Sequence, residues 1–334
     1  MTVSIRDVAA AAGVSVGTVS NVLNHPDKVA GPTVTRVHAA IDALGFVRND
    51  AARQLRAGRS RTIGLVVLDI RNPFFAAVAR GAEERADAEG LSVLVANSDE
   101  KSDREATHLD LFEEQRVAGV LVTPVADALP RLSRMRDRGI PSVLVDRESS
   151  DSRFASVAVD DVEGGRIAAT HLLDAGRSRL AFVGGPLTLR QISDRLRGAQ
   201  GAAGDRGQGI EFLGTDALSV DEGRRAGLRI LDRSPLTRPD AIFAANDLIA
   251  LGLLQSLVMK GDVRVPEDIA LIGYDDIDFA EAAVVPLSSV RQPAELIGST
   301  AVDLLLRERA QGGQGGQQVL FRPQLVARST TSRP

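Results

Sequence analysis

The chain has no cysteine and no tryptophan, one tyrosine and four histidines among its 334 residues. Without cysteine there is no disulfide framework, no thiolate zinc site and no cysteine nucleophile. His25, His38, His108 and His171 lie far apart with no HExxH-like spacing, so no local metal cluster is expected. Long apolar runs are missing too. The longest reach about six to eight residues, against the ~20 a bilayer span requires. The opening MTVSIRDVAAAAGVS lacks the basic and apolar regions of a secretion signal. A cytoplasmic protein without a membrane partner or a cofactor is therefore expected, and its length fits two or three domains.

A large excess of either charge is lacking, since 40 basic and 44 acidic residues leave a net −4, but the distribution is uneven. Residues 1–60 carry a net +3 and the remainder −7. A small basic head on an acidic body is expected to meet a polyanion through the head.

The head reads as short helices. Ser4 is placed to cap a helix with Ile5, Val8, Ala9 and Ala12 on its apolar face and Asp7 at the reciprocal capping position. Gly13 breaks it, and Ser15 caps a second helix that turns Val19, Val22 and Leu23 inward. A third run, Val34, Val37, Ile41 and Leu44, ends at Gly45, a C′ glycine. Two short helices across a tight glycine turn, followed by a third, describe a helix-turn-helix.

After Gly58 short β-rich runs alternate with amphipathic helices. Nine strands are expected, at 62–68, 91–96, 119–123, 142–145, 156–159, 179–183, 210–213, 240–244 and 269–272. Helical runs separate most of them, for example at 74–89, 162–175, 222–232 and 248–259. Repeated βαβ units with buried strands mean doubly wound parallel sheets. Nine strands exceed one such sheet comfortably, so two subdomains are expected, dividing near Asp160. The tail then returns through 287–290, a helix over 294–308 and strands at 318–321 and 324–327, with QGGQGGQQ as a loop.

The N-terminal motifs are dense and collinear: Asp7-Val8-Ala9, Ala12-Gly13-Val14-Ser15, Thr18-Val19-Ser20, Val22-Leu23-Asn24, Leu44-Gly45-Phe46 and Ala52-Arg53-Gln54-Leu55. This segment resembles the DNA-binding head and hinge of the lactose-repressor (LacI/GalR) family of bacterial regulators. The resemblance implies an α/β protein with a lambda-repressor-like helix-turn-helix at 1–48, a hinge helix at 49–60 and an effector-binding, dimerising domain at 61–334. It also implies a periplasmic-binding-protein-like body, with one subdomain from 61–160 plus 291–322 and the other from 161–290 plus 323–334. Val16, Gly17 and Asn21 are the positions it assigns to base reading. Ser15, Thr18, Ser20 and Asn24 suit phosphates. The hinge would insert Leu55 into the minor groove, with Arg53 and Arg56 on phosphates. Arg48 and Ala30 depart from the family's usual proline and serine.

In the body the resemblance rests on Asp69-Ile70-Arg71-Asn72-Pro73-Phe74-Phe75, Val145-Asp146-Arg147, Asp194-Arg195-Leu196-Arg197-Gly198, Ala245-Asn246-Asp247 and Gly273-Tyr274-Asp275-Asp276. These pieces fall at the carboxyl ends of expected strands or on the next helix, where open α/β sheets bind ligands. Phe74 and Phe75 offer ring faces to a sugar. Asp146, Arg195, Asn246 and Asp275, with Thr123 and Arg147, offer donors and acceptors to vicinal hydroxyls. Asp247 and Asp276 are expected to support the adjoining turn and helix.

No Walker loop, GxSxG or zinc motif is present, and Gly198-x-x-Gly201-x-x-Gly204 follows a helix rather than a strand. A catalytic function is therefore not expected. The pattern points to a homodimeric repressor of a carbohydrate-use operon, nucleoid-associated, bound to a palindromic double-stranded operator and released by a monosaccharide. A corepressor-dependent regulator fits the same residues. A solute receptor fits the body alone, but not the attached head.

Overall fold

The computed structural model describes residues 3–46, 60–259, 263–311 and 316–331. It divides into two units, Met1–Arg59 and Ser60–Pro334.

In the first unit, α1 (Ile5–Ala12), α2 (Val16–Asn24) and α3 (Gly31–Leu44) follow one another, with a 3₁₀ turn at Pro26–Lys28. Asp7 anchors the start of α1 by accepting hydrogen bonds from the Ser4 backbone N–H (2.8 Å) and hydroxyl (2.7 Å). The Ser15 hydroxyl caps α2, accepting from the Thr18 N–H at 3.1 Å. Helices α1 and α3 end at Gly13 (φ 63°) and Gly45 (φ 60°), in the left-handed region that a Cβ would strain. Val8, Ala9, Ala12, Val19, Val22, Val37 and Ala40 form this unit's core. Ala30 precedes α3 without a side-chain cap, as its methyl dictates.

The second unit alternates strand and helix. Its first half runs β1 (Thr62–Val67), α4 (Pro73–Asp87), β2 (Ser92–Asn97), α5 (Ser102–Glu114), β3 (Gly119–Val122), α6 (Leu129–Asp137), β4 (Ser142–Val145) and β5 (Ala155–Val159). The second half runs α7 (Asp161–Asp174), β6 (Leu180–Gly184), α8 (Arg190–Gly204), β7 (Ile210–Gly214), α9 (Val220–Leu231), β8 (Ala241–Ala244), α10 (Asp247–Met259) and β9 (Ala270–Asp275). It closes with α11 (Asp278–Glu281), β10 (Ser288–Arg291), α12 (Ala294–Gln311), β11 (Gln318–Phe321) and β12 (Gln324–Val326).

Two sheets result. One has the order β11-β5-β4-β3-β1-β2, the other β12-β10-β9-β8-β6-β7. Every pairing is parallel except β10 with β12. The central strands, β3, β4 and β8 among them, are buried along their whole length, which is why they read as continuous apolar runs. The chain crosses between the sheets three times, after β5, β10 and β11.

Three helix pairs flank the sheets, and each is joined by reciprocal glycines. Gly81 and Gly298 face the carbonyls of Glu295 and Val78 between α4 and α12. Gly165 and Gly198 face those of Arg195 and Val162 between α7 and α8, and Gly223 and Gly252 those of Ile249 and Val220 between α9 and α10. A Cβ at any of the six would collide with a backbone oxygen. The Gly198 that opens the GxxGxxG run is thus a packing residue, while Gly201 and Gly204 face open space. Among the described residues no helix is long and apolar enough to cross a membrane.

Candidate effector cleft and DNA-reading helix

The carboxyl ends of the two sheets' strands face a shared crevice. Leu68, Asn72, Phe74, Phe75 and Asp146 line it from the first lobe. Leu189, Gln191, Ile192, Arg195, Leu218, Asn246 and Asp275 line it from the second. Its mixed apolar and polar wall is that of a small-molecule site. The two phenylalanines are buried and meet edge to face, with centroids 5.0 Å apart.

Local backbone aims the polar groups. Asn72 caps α4, its Oδ1 accepting from the Phe74 N–H at 3.0 Å, which leaves its Nδ2 to donate to Asp275 Oδ2 at 2.9 Å. Asn246 Oδ1 likewise takes the Ile249 N–H at 3.0 Å in the first turn of α10. Asp146 (φ 56°) and Asp275 (φ 105°) hold positive φ at the ends of their strands. Such strained backbone persists where packing overdetermines it, commonly at binding sites.

Arg195 is the electrostatic centre. Its Nε donates to Asp161 Oδ1 at 2.8 Å, and one terminal nitrogen donates to the Ala245 carbonyl at 2.8 Å while lying 3.8 Å from Asp275 Oδ1. The guanidinium stacks 3.7 Å from the Tyr274 ring centroid. Burial works against its charge, yet Asp161, Tyr274, Asp275 and Asp146 hold its pKa above the ordinary value. Asp275 is raised by burial, opposed by Arg195, Asn72 and Gln292. Asp146, buried and close to Asp161, is pushed up to about 8. Its Oδ2 accepts from Gln191 Nε2 at 3.0 Å across the lobes.

Several buried polar atoms around the crevice have no hydrogen-bond partner: Asp146 Oδ1, Gln191 Oε1, Gln292 Oε1 and Asn246 Nδ2. The two glutamine oxygens accept, the asparagine amide donates, and the Asp146 carboxyl does either according to its proton. Hydroxyl groups, which do both, match that set.

Six of the eight residues assigned to the effector come together here: Phe74, Phe75, Asp146, Arg195, Asn246 and Asp275. The other two fall outside this lining. Thr123 is buried at the end of β3, and Arg147 lines an adjoining cavity with Arg190 and Asp194. Asn72, Gln191, Gln292, Asp161 and Tyr274 were not singled out as site residues from the sequence. Asn72 was signalled by its place before Pro73 at a helix start; the two glutamines had no local signal. Asp247 supports the Asp275 strap by accepting from the Ile277 N–H (2.9 Å) and the Ser289 hydroxyl (2.7 Å). Asp276 accepts from Arg291 and Arg328 at 2.7 and 2.6 Å.

On α2, Ser15, Gly17, Asn21 and Asn24 are exposed, while Val16, Thr18 and Ser20 are half-buried. The Asn24 amide donates to the Ser20 carbonyl at 2.8 Å. Arg53, Leu55 and Arg56 lie outside the described residues.

A helix-turn-helix unit joined to a two-lobed body with a polar crevice is the architecture of a ligand-responsive, DNA-binding transcriptional regulator. Residues 4–49 match the model of bacterial regulatory proteins of the lacI family, and residues 169–331 match a periplasmic binding protein-like domain. The ribose operon repressor of Bacillus subtilis is 36% identical over 303 residues, 91% of this chain and 90% of that protein. The lac repressor dimer bound to operator and the anti-inducer ONPF superposes with a TM-score of 0.83 at 27% identity, covering 99% of both chains. A LacI family regulator from Enterococcus faecium with bound ribose gives 0.74 at 26%, covering 82% of this chain and 99% of that one. The chain belongs to the lacI family of bacterial transcriptional regulators.

Proposed function

We propose that this regulator represses a carbohydrate-use operon as a cytoplasmic homodimer and is released by a monosaccharide, a pentose such as ribose in particular. The observation that carries this reading is the ring of polar atoms around Phe74 and Phe75. Partnerless polar atoms on Asp146, Gln191 and Asn246, which line the crevice with the two phenylalanines, suit adjacent hydroxyls, and the phenylalanine rings suit the C–H face of a small sugar. With subdomains at 61–160 plus 291–322 and 161–290 plus 323–334, this ring would lie between two lobes. A guest touching both lobes favours their closed arrangement.

Val16, Gly17 and Asn21 would read bases in the major groove, with Ser15, Thr18, Ser20 and Asn24 on phosphates. The 49–60 hinge, through Leu55, Arg53 and Arg56, would pair over the centre of a palindrome and bend it. Dimerisation is supported by two unpaired sheet edges with exposed apolar side chains, Leu94 and Val95 on β2 and Phe212 on β7. A coupling of about 1–3 kcal/mol between sugar and operator would change affinity several-fold to a hundredfold.

The test is calorimetric titration with D-ribose and other monosaccharides, followed by operator binding with and without the sugar that binds. A sugar that binds the body and weakens operator affinity supports the reading. Binding of nucleobases but no sugar overturns it.

A further inference from the structure

Asp146 and Arg147 are neighbours at the carboxyl end of β4, yet they serve different cavities. Asp146, in left-handed backbone, lines the crevice and the cavity beside it, whereas Arg147 lines only the second. Across that second cavity stands one side of α8, from which Arg190, Asp194 and Arg197 project. The two cavities meet along Asp146 and Gln191, which line both. Both side chains are buried, and Asp146 Oδ1 and Gln191 Oε1 have no hydrogen-bond partner. A ligand extending from the crevice into the second cavity passes these two atoms.

The carboxylates of the second cavity are engaged or exposed. Asp194 lies 2.8 Å from Arg197 and 3.5 Å from Arg190. Asp161 accepts from Arg195 Nε at 2.8 Å, and Asp160 caps α7 by accepting the Glu163 N–H at 2.9 Å. Glu148 faces solvent. Arg147 differs: it is half-buried, yet it forms no ion pair and no side-chain hydrogen bond among the described residues. Burial, then the like charge of Arg190 from the opposite lobe, holds its pKa below the ordinary value, against Asp127, Asp194 and Glu105. The start of α8 adds donors to the same space. Leu189 supplies no side-chain cap there, and the N–H groups of Arg190 and Gln191 have no partner within the helix.

We propose that this cavity is a phosphate subsite, and that the effector is a phosphorylated sugar whose ring lies in the crevice and whose phosphate lies between Arg147 of one lobe and Arg190 with the start of α8 of the other. The inference rests on the sugar reading of the crevice and narrows its ligand class. Guanidinium groups match phosphate oxygens in geometry as well as charge. A phosphate here relieves the repulsion between two guanidinium groups on opposite lobes, so it favours the closed arrangement together with the ring. Hydroxyls between ring and phosphate meet Asp146 Oδ1 and Gln191 Oε1. A neutral sugar leaves Arg147 and Arg190 uncompensated, and its phosphate ester therefore binds more tightly.

The experiment is calorimetry of the full-length protein with D-ribose and with D-ribose 5-phosphate in phosphate-free buffer, for wild type, Arg147→Gln and Arg190→Gln. The readout is the ratio of the two affinities within each protein, so a general loss of binding or folding cancels. The expected result is that wild type binds the phosphate about tenfold or more tighter than the free sugar, the worth of one hydrogen bond to a charged group. Each variant is expected to lower that ratio about tenfold, and added salt should shrink the wild-type preference. Equal or weaker binding of the phosphate overturns the subsite and leaves the sugar reading standing. A ratio unchanged in both variants overturns the assignment to this cavity. Failure of wild type to bind any monosaccharide, free or phosphorylated, overturns both.

Discussion

Asn72 Nδ2 donates to Asp275 Oδ2 at 2.9 Å, joining residues 203 apart in sequence and on different lobes of the body. The same asparagine caps α4 and thereby places Phe74 and Phe75. One side chain thus sets both the aromatic wall and the lobe-to-lobe contact. Asn72→Ala is expected to weaken sugar binding by about 1–3 kcal/mol, since it leaves Asp275 Oδ2 without its donor. Calorimetry with D-ribose measures this, and sugar-free operator binding should be unchanged.

Asp146 gives a pH prediction of definite sign. Its folded pKa of about 8 lies above the ordinary 3.8, so between those values the folded protein holds a proton that the unfolded chain has lost. This group's contribution to stability therefore falls as pH rises through that window. Asp146→Asn should flatten the loss, making the variant relatively more stable than wild type at pH 8 while it binds sugar more weakly. Chemical denaturation at pH 6 and pH 8 tests it; an unchanged difference between the two proteins would contradict the assignment.

Arg195 neutralises two buried carboxylates, Asp161 and Asp275. Arg195→Met keeps much of the volume but leaves them unpaired, an expected cost of about 3–5 kcal/mol. The body should melt at lower temperature. The head, as a separate unit, should keep its helical signal at the lower transition.

The reciprocal glycines separate packing from propensity. Gly198→Ala drives a methyl into the Val162 carbonyl and should destabilise the body by about 1–3 kcal/mol. Gly201→Ala, one turn on in α8 and facing open space, should be neutral or stabilising by up to about 1 kcal/mol. Equal effects in a urea titration would refute the contact.

Asn21 is exposed on α2 and is the side chain proposed to meet a base edge. Asn21→Ala is expected to relax preference at one or two operator positions, with about 1–3 kcal/mol at stake. Selection from a randomised duplex library reads this directly, and an unaltered logo would remove Asn21 from the readers.

Much of the fold was legible because its signals are local. Gly13 and Gly45 mark helix ends by their backbone freedom, Ser15 marks a start by its hydroxyl, and buried parallel strands appear as short apolar runs. Half of the polar ring was legible too, because Asp146, Asn246 and Asp275 stand at strand ends. Gln191 and Gln292 were not. Neither has a periodicity, a turn or a charge to distinguish it, and each acquires meaning only from the carboxylate it meets, Asp146 at 3.0 Å and Asp275 at 2.8 Å.

The amino-acid order alone determined the helix-turn-helix, the alternation of strand and helix, and which strand ends carry polar side chains, because each depends on neighbours within a few residues. Tertiary packing decided which of those ends converge. The three chain crossings bring groups more than a hundred residues apart within hydrogen-bond reach, as with Asn72 and Asp275. Packing also decided the charge states in the cleft, since burial and the distance from Arg195, rather than residue type, set where Asp146 and Asp275 titrate.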